Sequence, residues 1–308
     1  MNILVTGASG WLGQTVVPRL LRDGHTVVGL DPEAGPTTAI VGSVVDRPLV
    51  RHIIRDHGIE AIVHAAARHK PHIETHDNSE FVAVNVQGTL NLLEEAVAEG
   101  SRVDRFIFTS TTSLMISQKI RDGKSTGAKQ AIWIDETLSP LEPRNIYGVT
   151  KRAAEELCRL FHHLHRLPIL VLRTSRFFPE EDDMAHAIAQ SGDNTKANEF
   201  LFRRLTVEDA AEAHVVALAK ARGLGFDTFI ISSMTPFSPA DGRELIADAP
   251  AVVARYFPDY RKLYEQRGWT MFESIDRVYD AGKAARKLGF VCKTGFREVL
   301  DGLRPGRA

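Results

Sequence analysis

Tyr147-Gly148-Val149-Thr150-Lys151 sets a phenol and an ammonium four residues apart. On a helix that spacing sends both side chains from one face. A phenol ordinarily ionises near pH ~10, and a cation in a partly dry site favours the phenolate, bringing the group toward neutrality. The pair is therefore expected to take a proton from an alcohol or return one to a carbonyl. Upstream, Thr109-Ser110-Thr111-Thr112-Ser113 ends an apolar run in successive hydroxyls. A hydroxyl at the carboxyl edge of a sheet can orient a reacting oxygen. The pattern leaves open which of these residues does so, because Ser and Thr are also ordinary turn formers.

A second constellation lies at the start of the chain. Gly7, Gly10 and Gly13 are spaced GxxGxxG, directly after the apolar run Ile3–Thr6 and directly before a helical pattern. Glycine there lets the backbone turn tightly and approach a pyrophosphate, and the helix N-terminus offers unpaired N–H groups. Asp31 ends the run Val27-Val28-Gly29-Leu30-Asp31. A carboxylate at that point accepts hydrogen bonds from adenosine ribose hydroxyls and repels a 2′-phosphate. No Lys or Arg occurs from Pro32 to Val45 to offset it, so the expected cofactor is NAD rather than NADP. The alternative for Asp31 is a solvated turn aspartate.

The elements that must position these groups follow from periodicity. Short β-branched runs at Ile3–Thr6, Thr26–Leu30, Ala39–Val41, Ala61–His64, Arg105–Thr109 and Ile169–Leu172 alternate with helical patterns at Trp11–Asp23, Pro48–His57, Ser79–Ala98 and Asn145–His165. That alternation predicts an α/β fold, a doubly wound parallel Rossmann sheet. Gly24, Gly58 and Gly100 stand where helix ends need a left-handed residue. After Arg173 the pattern loosens, and a small interleaved C-terminal substrate-binding region is expected. The expected division is a dinucleotide-binding domain over 1–173 and a mainly substrate-binding region over 174–308, with 205–232 returning to the Rossmann core. Gln118–Gln130 reads as a surface loop. Asp248-Ala249-Pro250 reads as a cap starting a helix toward Phe257. Tyr256, Phe257, Tyr260 and Tyr264 fit a base pocket or a core equally well.

Composition narrows the partners. A net charge of −1 over 308 residues offers no electrostatic footprint for nucleic acid or an acidic membrane, which leaves a small molecule. Cys158 and Cys292 lack disulfide or metal-ligand spacing and read as core thiols, and no metal is expected. There is no basic leader and no apolar run of the roughly 20 residues a membrane helix needs, so a cytoplasmic protein is expected.

Together TGASGWLG (Thr6–Gly13), VHAAA (Val63–Ala67), NVQGTLNLLEEA (Asn85–Ala96), FIFTSTTS (Phe106–Ser113), YGVTK (Tyr147–Lys151), LRTSRFFPE (Leu172–Glu180), LTVEDAAEAH (Leu205–His214) and SIDRVYDAGKAARKLGF (Ser274–Phe290) resemble the extended short-chain dehydrogenase/reductase superfamily, in its NAD-dependent epimerase/dehydratase branch. The resemblance implies Thr111 as the catalytic hydroxyl, Tyr147 as acid/base, and Lys151 as the residue that also holds the nicotinamide ribose. It implies cofactor contacts from Gly7, Ser9, Gly10, Trp11, Leu12, Gly13, Asp31, Ser43, Val44, Ala65, Ala66, Ala67, Asn85, Thr109 and Phe177. Substrate contacts are implied for Thr112, Ser113, Arg176 and Phe178, and a homodimer is the expected assembly.

The chain also departs from the pattern. Ser43 stands where the family often has an adenine-contacting Asp. Thr112 and Ser113 replace the Asp-Glu pair of sugar-nucleotide 4,6-dehydratases, which disfavours a dehydratase, because elimination needs its own acid and base. Arg176 stands about where many epimerases place an asparagine, and an arginine can grip a carboxylate or phosphate with two prongs. Its alternative is a structural pair with Glu180 or Asp182. The run from Arg173 to Glu180 is similar to that of uronate dehydrogenases, which oxidise free sugar acids.

The expected activity is hydride transfer between nicotinamide and a carbinol of a sugar or nucleotide sugar, with an epimerase favoured. An NAD-dependent dehydrogenase of a free, negatively charged sugar acid or other small alcohol is the alternative. A non-catalytic dinucleotide sensor is the remote one, since fold alone never fixes function.

Overall fold

Runs too short for helices and rich in branched residues form the strands of the computed structural model, which describes residues 1–123, 127–177 and 192–304. The strands are β1 (Asn2–Thr6), β2 (Thr26–Asp31), β3 (Ile40–Val41), β4 (Ala61–His64), β5 (Arg105–Thr111), β6 (Ile132–Ile134), β7 (Ile169–Thr174), β8 (Phe226–Ile231) and β9 (Arg277–Tyr279). The helices are α1 (Trp11–Arg22), α2 (Arg47–Asp56), α3 (Asn78–Phe81), α4 (Gly88–Ala96), α5 (Gln118–Asp122), α6 (Ile146–His165), α7 (Gly192–Glu199), α8 (Val207–Leu224), α9 (Gly242–Ala247), α10 (Ala249–Tyr256), α11 (Tyr260–Glu265) and α12 (Phe296–Gly302). None among the described residues is long and apolar enough to cross a membrane.

Seven strands form one sheet in the order β3-β2-β1-β4-β5-β7-β8. Each pair with a defined register, from β3 through to β7, is parallel. Strands β4 and β7 are buried at every position, as expected where helices cover both faces. The winding reverses beside β1, which pairs with β2 on one side and β4 on the other. In doubly wound sheets the crevice at that reversal, outside the carboxyl ends of the strands, is where ligands bind.

The chain forms two compact units. The first comprises Met1–Leu114, Pro143–Thr174 and Ala210–Phe229. Its core joins Leu4, Ile62, Phe106, Phe108 and Val171 from the sheet to Ile53, Leu92 and Ala154 from helices. Each large apolar side chain withdrawn there contributes about 1.5–3 kcal/mol relative to exposure. Gly24, Gly58 and Gly100 take φ of 79°, 54° and 80°, the left-handed region expected at helix ends.

The second unit comprises Met115–Glu142, Ser175–Asp209 and Ile230–Ala308. Its core gathers Phe202, Val252, Phe257, Tyr260, Tyr264 and Phe296. Residues 115–142 therefore group away from the domain drawn over 1–173, because β6 pairs with β9 in a two-stranded parallel sheet. The segment returning to the first unit is also narrower than 205–232. At its ends Asp209 accepts the Lys293 and Thr294 N–H groups at 2.8 and 3.0 Å, and Ile230 N–H donates to Glu136.

Two local expectations need correction, and one open alternative is decided for most of its residues. The segment expected as a loop begins with α5, capped by Ser117, whose hydroxyl accepts the Ile120 N–H while Ile120 buries its side chain. Cys292 is only partly buried, unlike Cys158. Tyr256 is exposed, whereas Phe257, Tyr260 and Tyr264 are core.

Candidate active site

The glycine loop joins β1 to α1. Gly7 has φ +74°, and a Cβ on it would meet the Ala66 nitrogen at 2.7 Å. A Cβ on Gly13 would collide with the carbonyls of Gly7 and Ala8, and one on Gly10 would press on the Gly7 carbonyl at 3.3 Å. Backbone thus packs on backbone where the chain leaves β4 through Ala65, Ala66 and Ala67, all half-buried. Trp11 opens α1 with its side chain exposed, while Leu12 is buried.

Asp31 holds this loop from the end of β2. One carboxylate oxygen accepts the Ser9 N–H at 3.0 Å and the other accepts the Glu33 N–H at 2.9 Å. The Ser9 hydroxyl meets the Glu33 carbonyl and the Thr38 hydroxyl, so the segment after β2 folds onto the glycine loop. Ser43 opens the turn into α2, its hydroxyl accepting the Val45 N–H. The Val44 carbonyl is held by the Asn91 amide at 3.0 Å.

Asn85 lies in a π-helical turn, Val82–Gln87, between α3 and α4. Its amide accepts the Arg68 N–H at 2.8 Å and donates to the Arg68 carbonyl and the Thr150 hydroxyl. Thr150 stands one residue before Lys151, so Asn85 ties the segment after β4 to the turn of α6 that carries Tyr147 and Lys151.

Asn145 caps α6, accepting the Gly148 N–H at 2.9 Å, and so sets the first turn that carries Tyr147. Thr111 ends β5. Its oxygen accepts the Ser113 N–H at 3.1 Å, which leaves the Thr111 hydroxyl proton for the Tyr147 oxygen. That hydrogen bond favours phenolate, but burial dominates and pushes Tyr147 up to about 12. The phenol expected to be drawn toward neutrality therefore keeps its proton here. Lys151 is itself pushed down to about 8 by burial, against the opposing pull of Cys158 and Glu155.

Of the remaining hydroxyls on this edge, Thr109 is paired elsewhere. His214 Nδ1 faces the Ala210 carbonyl and so carries a hydrogen, which leaves Nε2 to accept from Thr109 at 2.8 Å. Ser110 donates to Glu155 at 2.6 Å. The Thr112 hydroxyl faces the Thr174 carbonyl at 3.4 Å.

Sequence reasoning missed two buried networks. The Arg173 guanidinium forks onto both Glu155 oxygens at 3.0 and 2.7 Å, one helical turn beyond Lys151. His64, fully buried, bridges Thr6 and Thr89 at 2.7 and 3.0 Å. Thr89 donates to the Asn85 carbonyl and Thr6 accepts from Ala66, so His64 donates through Nε2 and accepts through Nδ1. One relay thereby joins the end of β1 to Asn85. The only signal for it was a polar residue inside an otherwise apolar strand, Ala61–His64.

In the second unit Arg176 forms an isolated bridge with Arg204, and its guanidinium lies 3.8 Å from Glu199. Phe177 is buried. Phe178, like Glu180 and Asp182, lies outside the described residues.

The family model for the NAD dependent epimerase/dehydratase family matches residues 3–231. The low-salt glycan biosynthesis protein Agl12 of Haloferax volcanii is 33% identical over 193 residues, 58% of this chain and 57% of that relative, so the chain spans little more than half its length. A dTDP-glucose 4,6-dehydratase of Streptomyces antibioticus is 27% identical over 355 residues, covering 100% of this chain and 94% of that one. Among solved structures, UDP-glucose 4-epimerase of Thermotoga maritima with UDP-glucose superposes with a TM-score of 0.69 at 23% identity, over 97% of this chain and 96% of that one.

Proposed function

Since the chain belongs to the NAD dependent epimerase/dehydratase family, we propose that it is an NAD-dependent epimerase acting on a carbinol of a sugar or nucleotide sugar. The observation that carries this reading is the Thr111–Tyr147 hydrogen bond, set on the same helix face as the buried Lys151 and at the carboxyl edge of the sheet.

The cofactor fits the residues present. Gly7, Gly10 and Gly13 leave a cradle that side chains would fill. Asp31 keeps lone pairs beyond the two N–H groups it accepts, enough for ribose hydroxyls and wrong in charge for a 2′-phosphate. Asn85 and Ala65–Ala67 border the same strand ends, and Lys151 is the residue for the nicotinamide ribose. When bound, NAD supplies the hydride acceptor and donor and, in its oxidised form, a positive charge.

The protein's part is proton handling. Thr111 orients the reacting oxygen and the phenol, and Tyr147 takes the carbinol proton in oxidation and returns it in reduction. With its proton retained at neutral pH, Tyr147 is already the donor that reduction of a carbonyl needs. The oxidative direction needs added positive charge beside it. A single acid/base serving both directions suits an epimerase, and it serves an NAD-consuming dehydrogenase of a free sugar acid equally.

The dehydratase reading is favoured by the full-length relative from Streptomyces antibioticus. Against it, Thr112 and Ser113 follow Thr111 without a carboxylate, and the Thr112 hydroxyl is turned to the Thr174 carbonyl. Denaturing the purified protein and identifying the released nucleotide, then incubating the protein with UDP-glucose, dTDP-glucose and glucuronate, separates the three. Retained NAD with an inverted carbinol supports the epimerase. Accumulating NADH supports the dehydrogenase, and a 4-keto-6-deoxy product overturns both.

A further inference from the structure

His64 is fully buried at the end of β4 and takes no part in the proton handling assigned to Tyr147. Its contacts nonetheless converge on consecutive residues of α6. Strands β4 and β5 pair His64 with Phe108 in register, so both rings leave the same face of the sheet, with centroids 5.6 Å apart. The Lys151 ammonium lies over that Phe108 ring, 4.2 Å from its centroid. Lys151 is 2% exposed, and among the described residues its ammonium has no hydrogen-bond or ion-pair partner. The second route is a chain of hydrogen bonds. His64 Nε2 donates to the Thr89 oxygen at 3.0 Å, Thr89 donates to the Asn85 carbonyl at 2.7 Å, and the Asn85 amide donates to the Thr150 oxygen at 3.0 Å. Thr150 in turn donates to the Ile146 carbonyl at 2.8 Å, inside the turn that holds Tyr147.

From this convergence we infer that His64 is a positioning residue for Lys151: it seats the ring beneath the ammonium and, through Thr89 and Asn85, fixes the turn that carries it. An imidazole suits the task, being flat enough to pack on a ring and bearing an acceptor and a donor on different edges. Nδ1 is spent on the Thr6 hydroxyl at 2.7 Å, which leaves Nε2 to donate toward α6. Neither bond is given up easily, since a buried polar group left unpaired costs free energy. His64 must also be neutral, because a second buried cation beside Phe108 would repel the ammonium. Burial, and then the charge of Lys151, holds the imidazole well below its ordinary range. The other titratable groups that bear on Lys151 are Glu155 and Cys158 on α6 and His69 after β4, and Glu155 is already forked by Arg173. Held over the ring and bonded to no carboxylate, the ammonium keeps its hydrogens for the nicotinamide ribose.

This inference rests on the reading of Tyr147 and Lys151 as the reacting centre, and its test uses no sugar, so the two fail separately. Urea unfolding of the cofactor-free full chain is followed from pH 7 to 10.5, and the part of the stability rise above about 8 that K151M removes belongs to Lys151. H64N carries its amide too near the backbone to reach Thr89, and T89V cuts the chain while leaving the imidazole in place. Each is expected to lose half or more of that part, because a displaced ammonium regains water and its value returns toward 10.5. NAD affinity at pH 7 is expected to fall tenfold or more in both. H64Q, whose amide nitrogen extends about as far as Nε2, is expected to keep both readouts. A merely structural His64 would lower stability equally at every pH, and that result overturns the inference. It is overturned as well if NAD affinity stays within twofold of wild type in H64N and T89V, or if K151M leaves the rise unchanged. Should H64N fail to fold, T89V and H64Q carry the comparison.

Discussion

The Lys151 ammonium lies 4.2 Å from the centroid of the Phe108 ring. An aromatic face returns part of the lost hydration, yet burial still lowers the ammonium from 10.5 to about 8. Below about pH 8 both folded and unfolded chains carry this charge, and the folded one bears its burial. Between about 8 and 10.5 the unfolded chain binds the extra proton, so stability rises with pH. Lys151→Met is thus expected to stabilise the cofactor-free protein at pH 7, with the gain shrinking across that window. Urea unfolding of both proteins at several pH values measures it, and a less stable variant at pH 7 would refute the burial penalty.

Tyr147→Phe removes only the oxygen that Thr111 orients. Turnover is expected to fall by about 10²–10⁴-fold, the usual contribution of a positioned acid/base, with NAD affinity within twofold. Steady-state kinetics on the best substrate and a fluorescence titration check the two halves separately. Retained turnover would remove Tyr147 from the proton-transfer role.

Gly7 and Gly24 share a left-handed backbone, at φ +74° and +79°, but only Gly7 is crowded. Gly24→Ala should cost about 1–2 kcal/mol of conformational strain and leave NAD binding intact. Gly7→Ala adds a collision with Ala66 and should lose NAD binding as well. Thermal melts with NAD titrations compare the pair, and equal NAD affinity in both would place the cofactor elsewhere.

Asp31→Ala is expected to weaken NAD and narrow its advantage over NADP. It also removes the acceptor of the Ser9 and Glu33 N–H groups, so both affinities should decline while their ratio moves toward one. An unchanged ratio in fluorescence titrations would leave Asp31 a loop anchor only.

His64, His69 and His214 are all held below the ordinary imidazole range, chiefly by burial. Their neutral forms are the folded ones, so stability is fully present above the unfolded value of 6.5 and is lost as pH falls below it. His64→Gln, which keeps a donor and an acceptor without titrating, should flatten that acid slope. Unfolding free energies from pH 7 to 5 test this, and an unchanged slope would exclude His64 as a contributor. In contrast, Arg173→Met strands the Glu155 carboxylate and should cost about 3–5 kcal/mol at neutral pH.

What could be read from residue order was what depends on neighbours along the chain. The three-residue spacing of Gly7, Gly10 and Gly13 announced a turn into a helix, and the four-residue step from Tyr147 to Lys151 announced one helix face. The alternation of branched runs with amphipathic ones announced the sheet, because strand and helix periods are local properties. Asp31 was legible for the same reason, standing at a strand end that the pattern already located.

Folding alone settled the contacts between distant residues. His64 meets Thr6 and Thr89, Glu155 meets Arg173, and Arg277 comes beside Arg203 only when β9 bonds to the Phe202 carbonyl. A side chain states its donors and acceptors but not which partner will reach them. Burial decided the sign at Tyr147 as well. The spacing to Lys151 argued for an easily ionised phenol, but proton affinity depends on solvent exclusion as much as on charge. The tertiary structure withdraws both groups from water, leaving the phenol protonated and the ammonium easier to discharge.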